Sequence, residues 1–323
     1  MEKILNNKYK LIIILGVVIV LMLLMLFSFM VPDKNASPEK FVVSIGENKI
    51  QIMNDLKDKG FIKNTIVFGV TSIFLGTIQP GGYKISKSQN AWQITAILFK
   101  KPYMKWVVLK EGLRKEEIVN TLSKILGWEE SKKKEWLDYT NLSSNYFEGV
   151  FFPDTYLIPI DEAPADIAKR FIAKFEEKFA PYSSKASAQN IKWTTILKIA
   201  SIVQREAAGK NDMSLIAGII WNRLDKNMKL DMDSTLQYVR GDTGKGFWVP
   251  ITIADKKTDS PYNTYIHTGL PPHPISNPGL FAIDSVLNPE KTPCLYYLHD
   301  NYRVIHCSNT YENQKQNVEK YLK

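Results

Sequence analysis

Residues 11–31 read LIIILGVVIVLMLLMLFSFMV, a run without one charged side chain. At 1.5 Å of rise per residue, about 21 helical residues span roughly 30 Å, the thickness of a bilayer's hydrocarbon layer. A buried helix of a soluble core is seldom this long. A cleaved signal would carry an apolar region of about 7–15 residues followed by a small-x-small site. This run is longer, and Ser28-Phe29-Met30 makes a poor site. The stretch therefore reads as a retained transmembrane helix. Lys3, Lys8 and Lys10 precede it, with Glu2 as the sole acid. The positive-inside tendency then leaves residues 1–10 in the cytoplasm and exports the chain after Val31, as a single-pass protein of the cell membrane.

That placement changes the meaning of the net charge of +9. Outside the cell, nucleic acid is not an expected partner, whereas lipid headgroups and anionic cell-wall polymers are. A generally solvated basic surface fits equally well, since no basic stripe with interleaved aromatics stands out. The two cysteines, Cys294 and Cys307, lie in PCLYYLHDNYRVIHCS, which reads as two short strands around a polar turn. A turn centred near Asp300–Asn301 sets them opposite each other. An exported location permits a disulfide; two buried free thiols are equally compatible.

A polar linker occupies residues 32–40. The region 41–140 begins strand (FVVSI), helix (48–59), helix (65–75), strand (83–85), a β-α-α-β order sufficient for a small module. A helix over 91–99, a strand over 106–112 and a helix over 115–126 complete it. The region 141–323 holds amphipathic helices over 164–179, 193–207 and 213–224, with a polar gap over 181–190. Beyond Leu230 it is rich in Pro, Gly, Asn and Thr, the composition of shaped loops, before a helix over 278–287, the cysteine hairpin and a C-terminal helix. The expected fold class is α+β.

Within the helix over 193–207, Ile199, Val203 and Glu206 fall at i, i+4 and i+7 and share a face. A carboxyl continuing an apolar stripe is desolvated, which favours the protonated form that a general acid needs. A glutamate at a helix end, bonded to a neighbouring loop, is the structural alternative. Asp231, Asp233, Ser234 and Thr235 fit no metal spacing, and Ser234 or Asp233 reads as an N-cap for the helix beginning near Thr235. The four histidines form no paired motif, and GxSxG, Walker and dinucleotide signatures are missing. No metal and no cofactor is expected.

Four segments in order then carry a resemblance: FEGVFFPDTY (147–156), ASIVQREA (200–207), AGIIWNRLDKNMKLDMDSTLQY (217–238) and SPYNTYIHTGLPPHPISNPGLFAIDSVLNP (260–289). Together they resemble the endolytic murein transglycosylase, or YceG-like, family, and the N-terminal anchor matches as well. The resemblance implies non-hydrolytic cleavage between N-acetylmuramic acid and N-acetylglucosamine within peptidoglycan strands, leaving 1,6-anhydromuramic ends. One carboxyl suffices as acid and then base, and the family's motif maps it onto Glu206. Many members carry Glu where this chain has Gln204, which cannot titrate. Gln237, Tyr238, Asn263, Thr264 and Tyr265 are implied to line a saccharide cleft, with Asn277 shaping its wall. His273 stands where many members have glycine. Glu148 and Asp154 are expected to make local backbone or capping bonds rather than to act in catalysis.

The same resemblance implies a LysM-like glycan-binding module within 41–140, a catalytic domain over 141–323, and partners in the cell-wall synthesis machinery. A spacer explains the first of these regions almost as well. Two other functions compete: a hydrolytic muramidase using Asp231 or Asp233 to activate water, and an idle wall-binding scaffold in which Glu206 is structural.

Overall fold

The computed structural model describes residues 9, 12–20, 22–23, 31–71, 76–142 and 148–322. Among them no helix is long and apolar enough to cross a membrane. The expected span over 11–31 is described only at residues 12–20, 22–23 and 31, so the remainder of that expectation lies outside the described residues.

The chain forms two compact units, one running to Val107 and including Tyr156–Asp161, the other made of Val108–Thr155 and Glu162–Lys323. The first opens with β1 (Glu39–Val43), α1 (Lys49–Asp58), α2 (Thr65–Thr71) and β2 (Gly81–Ile85), the β-α-α-β order read from the sequence. Asn48 starts α1 because its side chain accepts from the backbone N–H of Ile50 and Gln51, both at 3.0 Å. Gln51 returns the bond by accepting from the Asn48 N–H at 2.8 Å, a reciprocal capping box. Asn90 and Gln93 repeat the device at α3 (Ala91–Leu98). With β3 (Met104–Val108) and β4 (Thr155–Pro159), the strands form one sheet in the order β1-β2-β3-β4. β1 and β2 are antiparallel, with Phe41 opposite Tyr83. The Pro80-Gly81-Gly82 turn needs its glycines. Gly81 has φ +154°, and a Cβ there would stand 2.5 Å from the Met104 carbonyl oxygen. Phe41, Val43, Leu56, Phe68, Ile85 and Leu98 close the core of this unit.

The second unit begins with α4 (Lys115–Leu126) and α5 (Glu130–Leu142), followed by α6 (Pro164–Ala188), α7 (Trp193–Glu206), α8 (Met213–Asp225) and α9 (Asp233–Arg240). After a long loop region come α10 (Leu280–Leu287), the hairpin of β5 (Tyr296–His299) and β6 (Ile305–Ser308), and α11 (Tyr311–Tyr321). The protein is thus α+β. The compact division falls elsewhere than a linear break at 140/141. Trp136 of α5 is wholly buried, with ring centroids 5.4 Å from Phe151 and 5.9 Å from Phe171, and this ties α5 to α6. α6 also continues to Ala188 through the expected gap, with Pro181 inside it. The proline removes one backbone donor, but Ala186 is buried and Gln189 closes the helix by donating to Lys185 O at 3.0 Å. α7 is more deeply set than one apolar stripe requires. Leu197, Ser201 and Ile202 are buried along with Ile196, Ile199, Ala200 and Val203.

Cys294 and Cys307 form a disulfide, with Cα atoms 5.8 Å apart. They are not register partners, however. Cys307 lies opposite Tyr297, and the turn spans Asp300 to Val304, with Asp300 N donating to Val304 O at 3.0 Å. The expected centre near Asp300–Asn301 is displaced because Arg303 takes φ +64° within a longer turn.

Candidate active site

Glu206 is the last residue of α7, and Ala207 leaves the helix in extended conformation. The glutamate is half-buried rather than sealed in the apolar stripe that the helix period suggests. Three donors meet its carboxyl group. Oε1 accepts from the Ser234 backbone N–H at 3.1 Å and from the Ser234 hydroxyl at 2.6 Å. Oε2 accepts from the Tyr297 hydroxyl at 2.9 Å. Burial, followed by the adjacent Glu206 charge, holds the Tyr297 phenol well above its ordinary range, so it stays protonated.

Ser234 comes from the first turn of α9, whose free N–H groups and dipole suit a carboxylate. The expected N-cap role of Ser234 or Asp233 is corrected: Met232 is the N-cap residue, and the Ser234 hydroxyl turns to Glu206 instead. Thr235 bonds back to Met232 O at 2.7 Å. Asp233 accepts a short hydrogen bond from the Tyr265 hydroxyl. Burial, then this carboxylate, raises the Tyr265 phenol above its usual value, while Lys256 stands 4.4 Å from the ring centroid. Asp231 adopts φ +50° and pairs with Arg223 at 3.4 Å.

The other residues expected at a cleft divide into two groups. Gln237 and Tyr238 are half-buried. Gln237 donates to the carbonyls of Trp248 and Val249 at 3.2 Å each. The Tyr238 ring lies 4.3 Å from the Arg114 guanidinium and 5.1 Å from the Tyr262 ring. Asn263, Thr264 and Asn277, by contrast, are at most 2% exposed. Asn263 donates to Lys256 O and Thr258 O and accepts from Tyr265 N. The Thr264 hydroxyl accepts from Met232 N and pairs with that of Thr235. The buried amides and hydroxyl of these three are spent on neighbouring groups, and so they shape the loops that carry them.

Asn277 shows how one amide holds two segments. Its Oδ1 accepts from Gly149 N at 2.9 Å and Phe151 N at 2.8 Å. Its Nδ2 donates to Leu113 O and to Glu148 Oε1, both at 2.9 Å. Glu148 Oε1 also accepts from Lys115 N at 2.8 Å, at the start of α4. Desolvation, aided by the charge of Glu116, pushes the wholly buried Glu148 carboxyl up to about 8. Gly149 is required beside it. Its φ is +101°, and a Cβ would stand 2.9 Å from the Pro274 ring. Gln204, one turn-fraction before Glu206, accepts from Gly279 N at 3.0 Å and anchors the start of α10.

Tyr297 and the Arg205–Trp248 stack escape a reading by motif. Arg205 lies 3.8 Å from the Trp248 ring centroid, and Trp248 Nε1 donates to Glu117 at 2.8 Å. Only the hairpin signal around Tyr297 was available, and it gives no direction toward Glu206. Elsewhere, a groove of about 670 Å³ lined by Phe175, Phe179 and Trp193 shares no residue with the Glu206 cluster. Among the described residues no group of three His, Cys, Asp or Glu side chains could hold a metal ion. The cluster can instead hold one carboxyl group in fixed orientation, half open to a ligand, where it can give and take a proton.

Known proteins resemble the chain over most of its length. It is 26% identical over 328 aligned residues to a protein of Streptococcus pneumoniae named endolytic murein transglycosylase, covering 89% of this chain and 60% of that one. A Bacillus subtilis protein of the same name is 34% identical over 176 residues, covering 54% of this chain and 48% of its own. The chain therefore spans about half to three fifths of the length of these curated relatives. A crystal structure of a yceG-like protein from Listeria monocytogenes superposes with a TM-score of 0.61 at 27% identity, covering 87% of this chain and 99% of that one. The sequence model of the YceG-like family matches residues 41–320, and the chain belongs to that family.

Proposed function

We propose that this protein is a peptidoglycan lytic transglycosylase that cuts within glycan strands, with Glu206 as its acid and then its base. The observation that carries the reading is the half-buried Glu206 carboxyl, oriented by Ser234 and Tyr297 at the motif position of a family whose named relatives are endolytic murein transglycosylases. As acid, Glu206 protonates the oxygen linking muramic acid to N-acetylglucosamine. As carboxylate, it accepts the proton of the muramyl 6-hydroxyl, whose oxygen closes onto the anomeric carbon. The products are a free N-acetylglucosamine end and a 1,6-anhydromuramic end, and no water is consumed. A second carboxylate at fixed separation, as ordinary glycosidases use, is not required.

Gln237, Tyr238 and Tyr265, all half-buried, supply the amide and ring faces of the sugar cleft in this reading. The 11–31 run anchors the protein in the cell membrane with its N-terminus in the cytoplasm, and the β-α-α-β module at 39–85 serves as a LysM-like unit that meets the wall. The disulfide agrees with an exported location, where such bonds persist. Wall-synthesis enzymes are the expected protein partners.

Digestion of purified glycan strands, followed by mass analysis, tests the chemistry. Anhydro-ended fragments support it. Fragments heavier by one water point to hydrolysis, and intact strands that bind the protein point to a scaffold.

A further inference from the structure

The hairpin that follows α10 brings a phenol to the carboxyl group at the end of α7, across 91 positions of sequence. We propose that Tyr297 is a positioning residue for Glu206, holding Oε2 in place and stabilising the carboxylate that forms once the proton has left. The proposal rests on the acid/base reading above and adds a residue to it.

The two oxygens of Glu206 are not equivalent. Oε1 already accepts two bonds, both from Ser234. Oε2 accepts one, from Tyr297 at 2.9 Å, and so keeps a lone pair for the proton that is transferred. A donor on that oxygen gains strength as negative charge develops, because hydrogen bonds to an ionised acceptor are roughly twice as strong as neutral ones. It therefore favours the transition state over the resting acid, which is the condition for raising kcat rather than binding. The phenol remains a donor throughout the working pH range, since burial and Glu206 keep it protonated.

Several independent bonds fix the backbone that carries this phenol. Asn222 of α8 donates to Thr292 O and Cys294 O, and Arg223 donates to Leu295 O at 2.6 Å. Gln314 of α11 donates to the carbonyl of Tyr297 itself at 3.0 Å. Tyr297 stands in register opposite Cys307, whose disulfide partner Cys294 lies at the entry of the same strand. A side chain needed only for packing would not require its hydroxyl on the carboxylate. Tyr296, the next residue along, gives an internal contrast. Its ring contacts Tyr311 and the Arg223 guanidinium, away from Glu206.

The test compares the full chain with Tyr297→Phe and Tyr296→Phe on purified glycan strands, with kcat, KM and melting temperature measured for each. The expected result is a fall in kcat of about 10–100-fold in Tyr297→Phe, somewhat below the loss typical of a dedicated oxyanion donor. KM should stay within about twofold and melting should be nearly unchanged, while Tyr296→Phe matches the parent in activity. Unchanged kcat in Tyr297→Phe overturns the proposal. So does a loss that follows melting temperature, or one that appears in KM with kcat preserved. If the parent protein leaves the strands uncut, the acid/base reading fails first and takes this assignment with it.

Discussion

Ser234 meets Glu206 twice on one oxygen, through its backbone N–H at 3.1 Å and its hydroxyl at 2.6 Å, across 28 positions of sequence. The backbone bond belongs to the helix terminus and survives most substitutions, but the hydroxyl bond does not. Ser234→Ala should therefore lower kcat/KM on glycan strands by about tenfold, the equivalent of about 1.4 kcal/mol lost from one charge-assisted bond. Steady-state kinetics on purified strands checks it. Ser234→Pro removes both donors and should lower the rate further than Ser234→Ala.

Glu148 makes stability depend on pH. Its carboxyl is raised from 4.5 to about 8 in the folded chain, chiefly by burial. Between those values the folded state holds a proton that the unfolded state has released, so stability falls as pH rises through the window. Glu148→Gln is a neutral isostere that keeps the acceptor facing Lys115 N and Asn277. Its melting temperature should vary less than the parent's between about pH 5 and 8, and exceed it at the upper end. Thermal melts of both proteins across that range decide the matter.

Asn277 links the Gly149–Phe151 turn, Leu113 and Glu148 through four hydrogen bonds, all buried. Asn277→Ala strands several of those partners, and each buried unsatisfied group costs about 1–3 kcal/mol. A loss of roughly 3 kcal/mol or more in denaturant unfolding is expected. An unchanged midpoint with weakened glycan binding would place Asn277 at the cleft wall.

The Cys294–Cys307 bond closes a loop of sequence separation 13. Replacing both cysteines by serine should cost about 3 kcal/mol of stability, the value expected for a loop of this size. Comparison of unfolding midpoints measures it. Because Cys307 lies opposite Tyr297, the double variant should also lose activity out of proportion to the fraction unfolded.

The parts of this fold that were legible in sequence are those governed by local rules. The β-α-α-β order of the first unit and the apolar period of α7 both follow from patterns that act within a few residues. α5 was hidden for the converse reason. ESKKKEWLDYTNL has no clear apolar period, and its helix is held where Trp136 meets Phe151 and Phe171 from elsewhere in the chain. The motifs brought Glu206, Tyr238 and Tyr265 to notice but not their bonding. The resemblance pointed to Asn263, Thr264 and Asn277 for a sugar cleft or its wall, but not to the buried bonds that their amides and hydroxyl make with neighbouring groups. Tyr297 had no local signature, since its partner lies on a different element.

The central claim is that Glu206 transfers the proton. Its most direct test is Glu206→Gln in the full chain, assayed for release of anhydro-ended fragments and, separately, for retention on glycan strands. Gln keeps the shape of the side chain but has no proton to give at the leaving oxygen. Cleavage should fall by at least about a thousandfold, in the upper half of the roughly 100- to 10,000-fold that proton transfer contributes, because one group serves as both acid and base. Strand binding should persist. Cleavage by Glu206→Gln at a rate close to the parent's would contradict the account and move the chemistry to another residue.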